Sequence, residues 1–155
     1  MSRPAKAAGK GRKLSNFLCF AVYSANLAFG RAYKPLLDAV GLTYTQYIAM
    51  VALAEADDLT VSALGEKLFL ESNTLTPILK KLEQSGYISR VRDPADERQV
   101  RVNLTPAGRR LLDKDINFSL IEATGLGDEF PVVQKSVVRL RDNLLHNTRG
   151  DPKKG

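Results

Sequence analysis

Between Leu59 and Thr105 the hydrophobic period switches from helical to alternating, and nothing else in the sequence restricts the available folds so strongly. Thr60 stands before Val61, Leu64 and Leu68, whose spacing predicts a short capped helix. Phe69 to Ser72 is too short for a further element and reads as a turn. From Asn73 the apolar positions Leu75, Ile78, Leu79 and Leu82 recur at three or four, with Gly86 as the stop. Pro77 lies about one turn in, where a missing N–H costs little. Tyr87–Arg92 and Gln99–Leu104 then alternate apolar and polar, as strands do, around the polar turn Asp93-Pro94-Ala95-Asp96-Glu97-Arg98. Thr105 and Pro106 open another helix, as N-cap and first helical residue.

Two short helices followed by a ribbon with a charged tip make a winged helix–turn–helix. The expected fold is mainly α with a small two-stranded β-wing. That shape fits DNA. The second helix presents Ser72, Asn73, Thr74, Thr76, Lys80 and Lys81 away from its apolar stripe. Hydroxyl and amide groups reach base edges and phosphates, and lysines neutralise phosphates. At the ribbon tip Arg98 suits a minor groove, with Asp96 placed to hold its guanidinium, and Arg101 on the second strand adds a further candidate cation.

The stretches Leu59-Thr60-Val61, Leu64-Gly65-Glu66 and Thr74 to Glu83, followed by Asp96-Glu97-Arg98 and Leu104-Thr105-Pro106-Ala107-Gly108, resemble the MarR family of bacterial regulators. The Asp-x-Arg tip and the Leu-Thr-x-x-Gly helix start carry most of that resemblance, which extends over roughly residues 14 to 147. It implies a winged helix–turn–helix in a MarR-like dimer.

Charge needs its placement before it means anything. The formal net charge is +6, but residues 1–13 carry +5 and residues 149–155 carry +2, so the part between is −1. The tails can add non-specific attraction to DNA, whereas the body is not a basic DNA-coating protein. The expected organisation is a disordered basic tail over 1–13, a winged-helix domain over 14–147 with its DNA-binding lobe at about 59–105, and a flexible tail over 148–155. No apolar run approaches the length of about 18 residues that spans a bilayer, and no apolar signal core follows the basic start. The expectation is a cytoplasmic protein without membrane contact. One cysteine and one histidine make a disulfide within the chain or a zinc site a poor fit, so no metal and no cofactor is expected.

Outside the lobe the chain reads as helices. Ser15 is the expected cap of a helix from Asn16 to about Ala32, Pro35 and Gly41 bracket a short one, and Thr43 with Gln46 has capping-box spacing for a helix to about Ala56. Leu111, Leu112 and Ile116 line a helix continuing to Ala123, Gly125-Leu126-Gly127 breaks it, and Asp128 caps a last helix striped by Val133, Val137, Leu140 and Leu144. The terminal helices carry more apolar surface than one winged domain covers. A second copy would cover it, giving a homodimer that meets a pseudo-palindromic operator with half-sites about one helical turn apart.

Cys19, in Phe17-Leu18-Cys19-Phe20, is either a small buried hydrophobe or a reactive thiol. The expected helix start would favour a thiolate, and Tyr23, Tyr33, Tyr44 and Tyr47 all fall within the next 28 positions. Apolar neighbours such as Phe17 and Phe20 would suit an organic peroxide better than hydrogen peroxide. Leu18-Cys19-Phe20, Tyr33 to Asp38 and Leu42 to Tyr47 resemble the organic hydroperoxide regulators within the MarR family. The resemblance implies that Cys19 is the redox sensor and that Tyr33 and Tyr44 hydrogen-bond its thiolate from the other subunit. Phe17, Phe20, Tyr23 and Tyr47 are the remaining candidates for the pocket around it. It also implies a repressor of a peroxidase gene that leaves DNA when an organic hydroperoxide oxidises the cysteine. With no second cysteine, the sulfenic acid would be capped by a low-molecular-weight thiol or over-oxidised. Two alternatives stand beside this one: a MarR-type repressor released by a small aromatic ligand, and a thiol peroxidase using Cys19 as its nucleophile. The second leaves the lysine helix and the arginine tip unexplained, so the expectation is a regulator and not an enzyme.

Overall fold

The computed structural model describes residues 12–114 and 116–149. The chain divides into two units, Met1–Lys114 and Asp115–Gly155. In the first, a 3-10 turn at Leu14–Asn16 precedes α1 (Leu18–Asp38), α2 (Tyr44–Glu55), β1 (Leu59–Thr60), α3 (Val61–Leu68), α4 (Ser72–Gln84), β2 (Ile88–Arg92), β3 (Val100–Leu104) and α5 (Pro106–Leu112). The second holds α6 (Ile116–Ala123), a 3-10 turn at Gly127–Glu129 and α7 (Phe130–Arg149). None of the helices among the described residues is long and apolar enough to cross a membrane.

Local chemistry places the helix starts. At α2, Thr43 Oγ1 accepts the Gln46 N–H at 3.3 Å while Gln46 Oε1 accepts the Thr43 N–H at 2.9 Å, a complete capping box. Thr60 caps α3 through the Ala63 N–H at 3.1 Å, and Thr105 caps α5 through the Gly108 N–H at 3.1 Å with Pro106 behind it. Phe69 ends α3 in the left-handed region at φ 57°, and Leu70 donates its N–H back to Gly65 at 2.9 Å, which turns the chain into α4.

The core of the first unit lies where α2, α3 and α4 meet the sheet. Met50, Leu53, Leu64, Leu75, Leu79, Leu82 and Val102 are fully buried there. Each is worth about 1.5–3 kcal/mol of burial. The sheet is antiparallel in the order β1-β3-β2, with Ile88 opposite Leu104 and Arg92 opposite Val100.

Five expectations need correction. The wing sheet has three strands: Leu59 and Thr60 pair with Val102 and Arg101 of β3, and two residues are too few to show alternation in sequence. Ser15 does not cap α1, because it lies inside the 3-10 turn closed by Phe17 N–H to Leu14 O at 3.1 Å; Phe17 is the N-cap and offers no side-chain bond. Pro35 does not start a new helix. It sits in the last turn of α1, where the chain loses one hydrogen bond close to the helix end. The helix after the wing does not run through to Ala123, for α5 closes with the Lys114 N–H on Leu111 O, a tighter bond than the α-helical one. Asp128 lies within the 3-10 turn and not at a cap, although Gly125 and Gly127, at φ 65° and 52°, do break the chain where the sequence marks it. The tail segments 1–11 and 150–155 lie outside the described residues.

Candidate nucleic-acid interface and thiol site

α4 buries Leu75, Leu79 and Leu82 and leaves Ser72, Asn73, Thr74, Thr76, Lys80 and Lys81 exposed. At 13 residues it is about 20 Å long, and a helix's diameter of about 10–12 Å suits a major groove about 12 Å wide. The Thr76 hydroxyl donates to Ser72 O at 2.7 Å and keeps lone pairs to accept from a base or a bridging water. Pro77 lies within the helix on its exposed side.

At the wing tip one oxygen, Asp96 Oδ1, accepts both the Arg98 backbone N–H and its Nε–H, each at 3.1 Å. The guanidinium is thereby aimed while its side chain stays 91% exposed. The turn itself is closed by Asp93 N–H to Gln99 O and Gln99 N–H to Asp96 O, both 2.9 Å. A groove of about 250 Å³ runs between the start of α3, the start of α4 and the wing, lined among others by Ser62, Ser72, Thr76, Arg90, Arg98 and Gln99. Ser72 and Thr76 therefore share one concave surface with Arg98.

Two groove residues carry no individual sequence signal. Ser62 and Arg90 look like the polar half of an amphipathic pattern. Arg90 donates its backbone N–H and Nη2 to the two oxygens of Glu83 at 3.1 Å each, tying β2 to the last turn of α4 and holding the Glu83 carboxyl below its ordinary range. Arg101 is placed differently from Arg98. Its Nε donates to Asp93 Oδ2 at 2.9 Å and its Nη1 to Asp58 O and Oδ2 at 3.1 and 3.2 Å.

Cys19 is exposed in the first turn of α1, next to Phe17 at the N-cap. Phe20 and Tyr23 lie near it, ring centroids 6.4 Å apart. Tyr33 and Tyr44 form a second cluster, their rings stacked at 5.2 Å with Phe29 against Tyr33 at 5.3 Å. Tyr47 is buried in the core. Burial, and then Tyr44, push the Tyr33 phenol above its ordinary 10.0, so it stays an O–H donor. From Cys19 to Tyr33 is 14 residues of one helix, about 21 Å of rise. Within a single chain the two clusters do not meet.

Reading helix, tethered arginine tip and the groove between them define a MarR-like winged-helix DNA-binding regulator. The chain belongs to the SarA/Rot family of transcriptional regulators, which it matches over residues 31–114. It is 47% identical over 105 residues to the organic hydroperoxide resistance transcriptional regulator of Bacillus subtilis, covering 68% of this chain and 71% of that one. It is 52% identical over 103 residues to the transcriptional regulator TtmR of Methylorubrum extorquens, covering 66% of this chain and 53% of TtmR, so the match spans about half of that relative. Among solved structures it is similar to overoxidised AbfR bound to DNA, with a TM-score of 0.70, 35% identity, and coverage of 85% of this chain and 94% of that one. AbfR comes from Staphylococcus epidermidis.

Proposed function

We propose that this regulator is a homodimeric repressor that reads a pseudo-palindromic operator through α4 and the wing and leaves it when an organic hydroperoxide oxidises Cys19. The carrying observation is the position of the sulfur: the only cysteine of the chain stands exposed in the first turn of a helix whose apolar face is also exposed. Leu18 and Tyr23, 62% and 60% exposed, flank it, and a second copy would cover them. An antiparallel meeting of two α1 helices would bring the Tyr33/Tyr44 cluster of one chain to Cys19 of the other. The names of the relatives, a hydroperoxide resistance regulator and an overoxidised DNA-bound protein, support the same reading.

The chemistry follows from the residues. The Cys19 thiolate attacks one peroxide oxygen and the O–O bond breaks. The sulfur becomes sulfenic acid and the alkoxide leaves, taking up a proton as alcohol. Phenol O–H donors would favour the thiolate at the start. A low-molecular-weight thiol then displaces water from the sulfenic acid, giving a mixed disulfide, since no second cysteine exists to resolve it. On this reading the protein consumes one peroxide per switching event and is not a peroxidase, and the gene it controls encodes an organic hydroperoxide peroxidase. Ser72, Asn73, Thr74, Thr76, Lys80 and Lys81 would meet the major groove, and Arg98, aimed by Asp96, the minor groove. It would act where the chromosome lies, in the cytoplasm.

A gel shift tests this with the DNA upstream of the chain's own gene, with and without cumene hydroperoxide. The parent is expected to bind and then to be released. Cys19→Ser is expected to bind and stay bound. Release of Cys19→Ser by the same dose would remove Cys19 from the mechanism.

A further inference from the structure

We propose that Arg101 is not a DNA contact but the positioning residue of the wing, and that Asp58 is its anchor. Arg101 lies on the middle strand β3, opposite Val91 of β2 and Thr60 of β1. Its planar fork joins two elements that the chain otherwise leaves apart. Nε–H donates to Asp93 Oδ2 at 2.9 Å, and Nη1 donates to the carbonyl and Oδ2 of Asp58 at 3.1 and 3.2 Å. Asp93 is the base of the wing turn: its other oxygen accepts the Ala95 N–H at 2.8 Å and its carbonyl accepts the Asp96 N–H at 3.2 Å. What holds the Asp93 carboxylate therefore holds the turn that aims Arg98.

Asp58 is the fixed end. It stands at φ 60°, a conformation L residues rarely adopt and which persists where the surroundings hold it. Asn103, two residues from Arg101 and so on the same face of β3, donates Nδ2 to Asp58 Oδ1 at 3.3 Å. Both oxygens of Asp58 are thus gripped from β3. The neighbouring Asp57 is paired with Arg109 of α5, which pins the loop from a third element. A lone exposed ion pair would contribute little. Here the Asp93 side chain is only 9% exposed, and one guanidinium bridges carboxylates 35 residues apart in sequence, Asp58 and Asp93, which is a geometric constraint more than a charge.

The proposal rests on the wing's being a DNA contact, and two measurements separate the failure of one from the failure of the other. The probe is a duplex selected by the parent protein from a random-sequence library. The variants are Asp58→Gly, Arg101→Met and Arg101→Lys, each checked for an intact thermal transition. Glycine accepts the positive φ, so Asp58→Gly folds; it keeps the carbonyl that Arg101 reaches but loses the carboxylate gripped by Arg101 and Asn103. Simple electrostatics predicts that deleting this acid tightens binding. The positioning role predicts roughly tenfold weaker binding to the selected duplex. It also predicts that Arg101→Lys fails to rescue Arg101→Met, because one ammonium cannot fork to both carboxylates. A phosphate contact would instead be kept by lysine, and its loss would flatten the salt slope by about 0.9. The second measurement needs no DNA. A nitroxide on Glu97→Cys, in a Cys19→Ser chain, reports wing motion and is expected to become more mobile in Asp58→Gly and Arg101→Met. Binding by Asp58→Gly as tight as the parent's, or unchanged nitroxide mobility, overturns the proposal. If the parent selects no duplex, the DNA role of the wing falls, and the nitroxide still decides whether Arg101 and Asp58 hold it.

Discussion

Asp96 is an acid on a surface proposed to face phosphates, and its only evident use is the grip on Arg98 through a single oxygen. Arg98→Ala is expected to weaken operator binding by about 1–3 kcal/mol. Asp96→Ala is expected to weaken it too, although it removes a negative charge. Salt titrations of both variants check this, and tighter binding by Asp96→Ala at every salt concentration would reduce the tip to a charged loop. This pair was legible in the sequence because donor and acceptor are two residues apart within one turn. The partners of Arg101 and Arg90 were not. Asp58 reaches Arg101 only through a two-residue strand and a left-handed residue, neither of which leaves a pattern. Glu83 and Arg90 belong to elements whose closeness is set by the turn at Gly86. The spacing around Cys19 marks a first helical turn but not its cap, since the 3-10 turn that holds Ser15 is indistinguishable from a cap by spacing alone.

At the scale of elements, two glycines hold the lobe together by having no side chain. A Cβ on Gly108 would lie 2.3 Å from Tyr87 O, and one on Gly65 would lie 2.7 Å from Leu70 O. Both obstacles are backbone and cannot swing away. Gly108→Ala and Gly65→Ala are each expected to cost about 1–3 kcal/mol, read as a lower thermal midpoint. Two carboxylates, Asp93 in the wing turn and Glu83 at the end of α4, are expected to make stability depend on acid. The Ala95 N–H and then Arg101 hold the Asp93 carboxyl below its ordinary 3.8, and the Arg90 hydrogen bond holds Glu83 below 4.5. A carboxyl depressed by folding stabilises the folded form above its unfolded value, and that stabilisation is lost as the pH falls through the folded value. Urea unfolding of the parent and Asp93→Asn should therefore differ at pH 7 and converge as the pH drops below about 3.8. Element types were legible wherever a period ran for two turns or a strand for five residues. The continuation of α1 through Pro35 and the break after Leu112 leave no such mark, because tolerance of a proline in a last turn, and the closing of a helix by a tighter bond, depend on backbone geometry and not on composition.

For the molecule as a whole, the exposed apolar side of α1 predicts self-association. Leu18→Glu with Leu27→Glu, at sites 62% and 47% exposed, is expected to shift the sedimentation coefficient to that of a monomer while the helical signal is kept. An unchanged coefficient would place the interface elsewhere. The length of α1 carries a consequence of another kind. About 21 Å of helix separates Cys19 from Tyr33, so if the proposed centre uses both, each centre would be assembled from two polypeptides and damage to it would be divisible between them. A Cys19→Ser chain and a Tyr33→Phe chain each form defective pairs: one lacks sulfur, the other the phenol that assists it. Mixed and annealed, they complement. The hybrid unites the sulfur of one parent with the phenol of the other in one whole centre, and leaves both lesions in the second. A fast-oxidising fraction that appears only in the mixture, followed by thiol labelling, would be the genetic signature of a centre inherited from two parents.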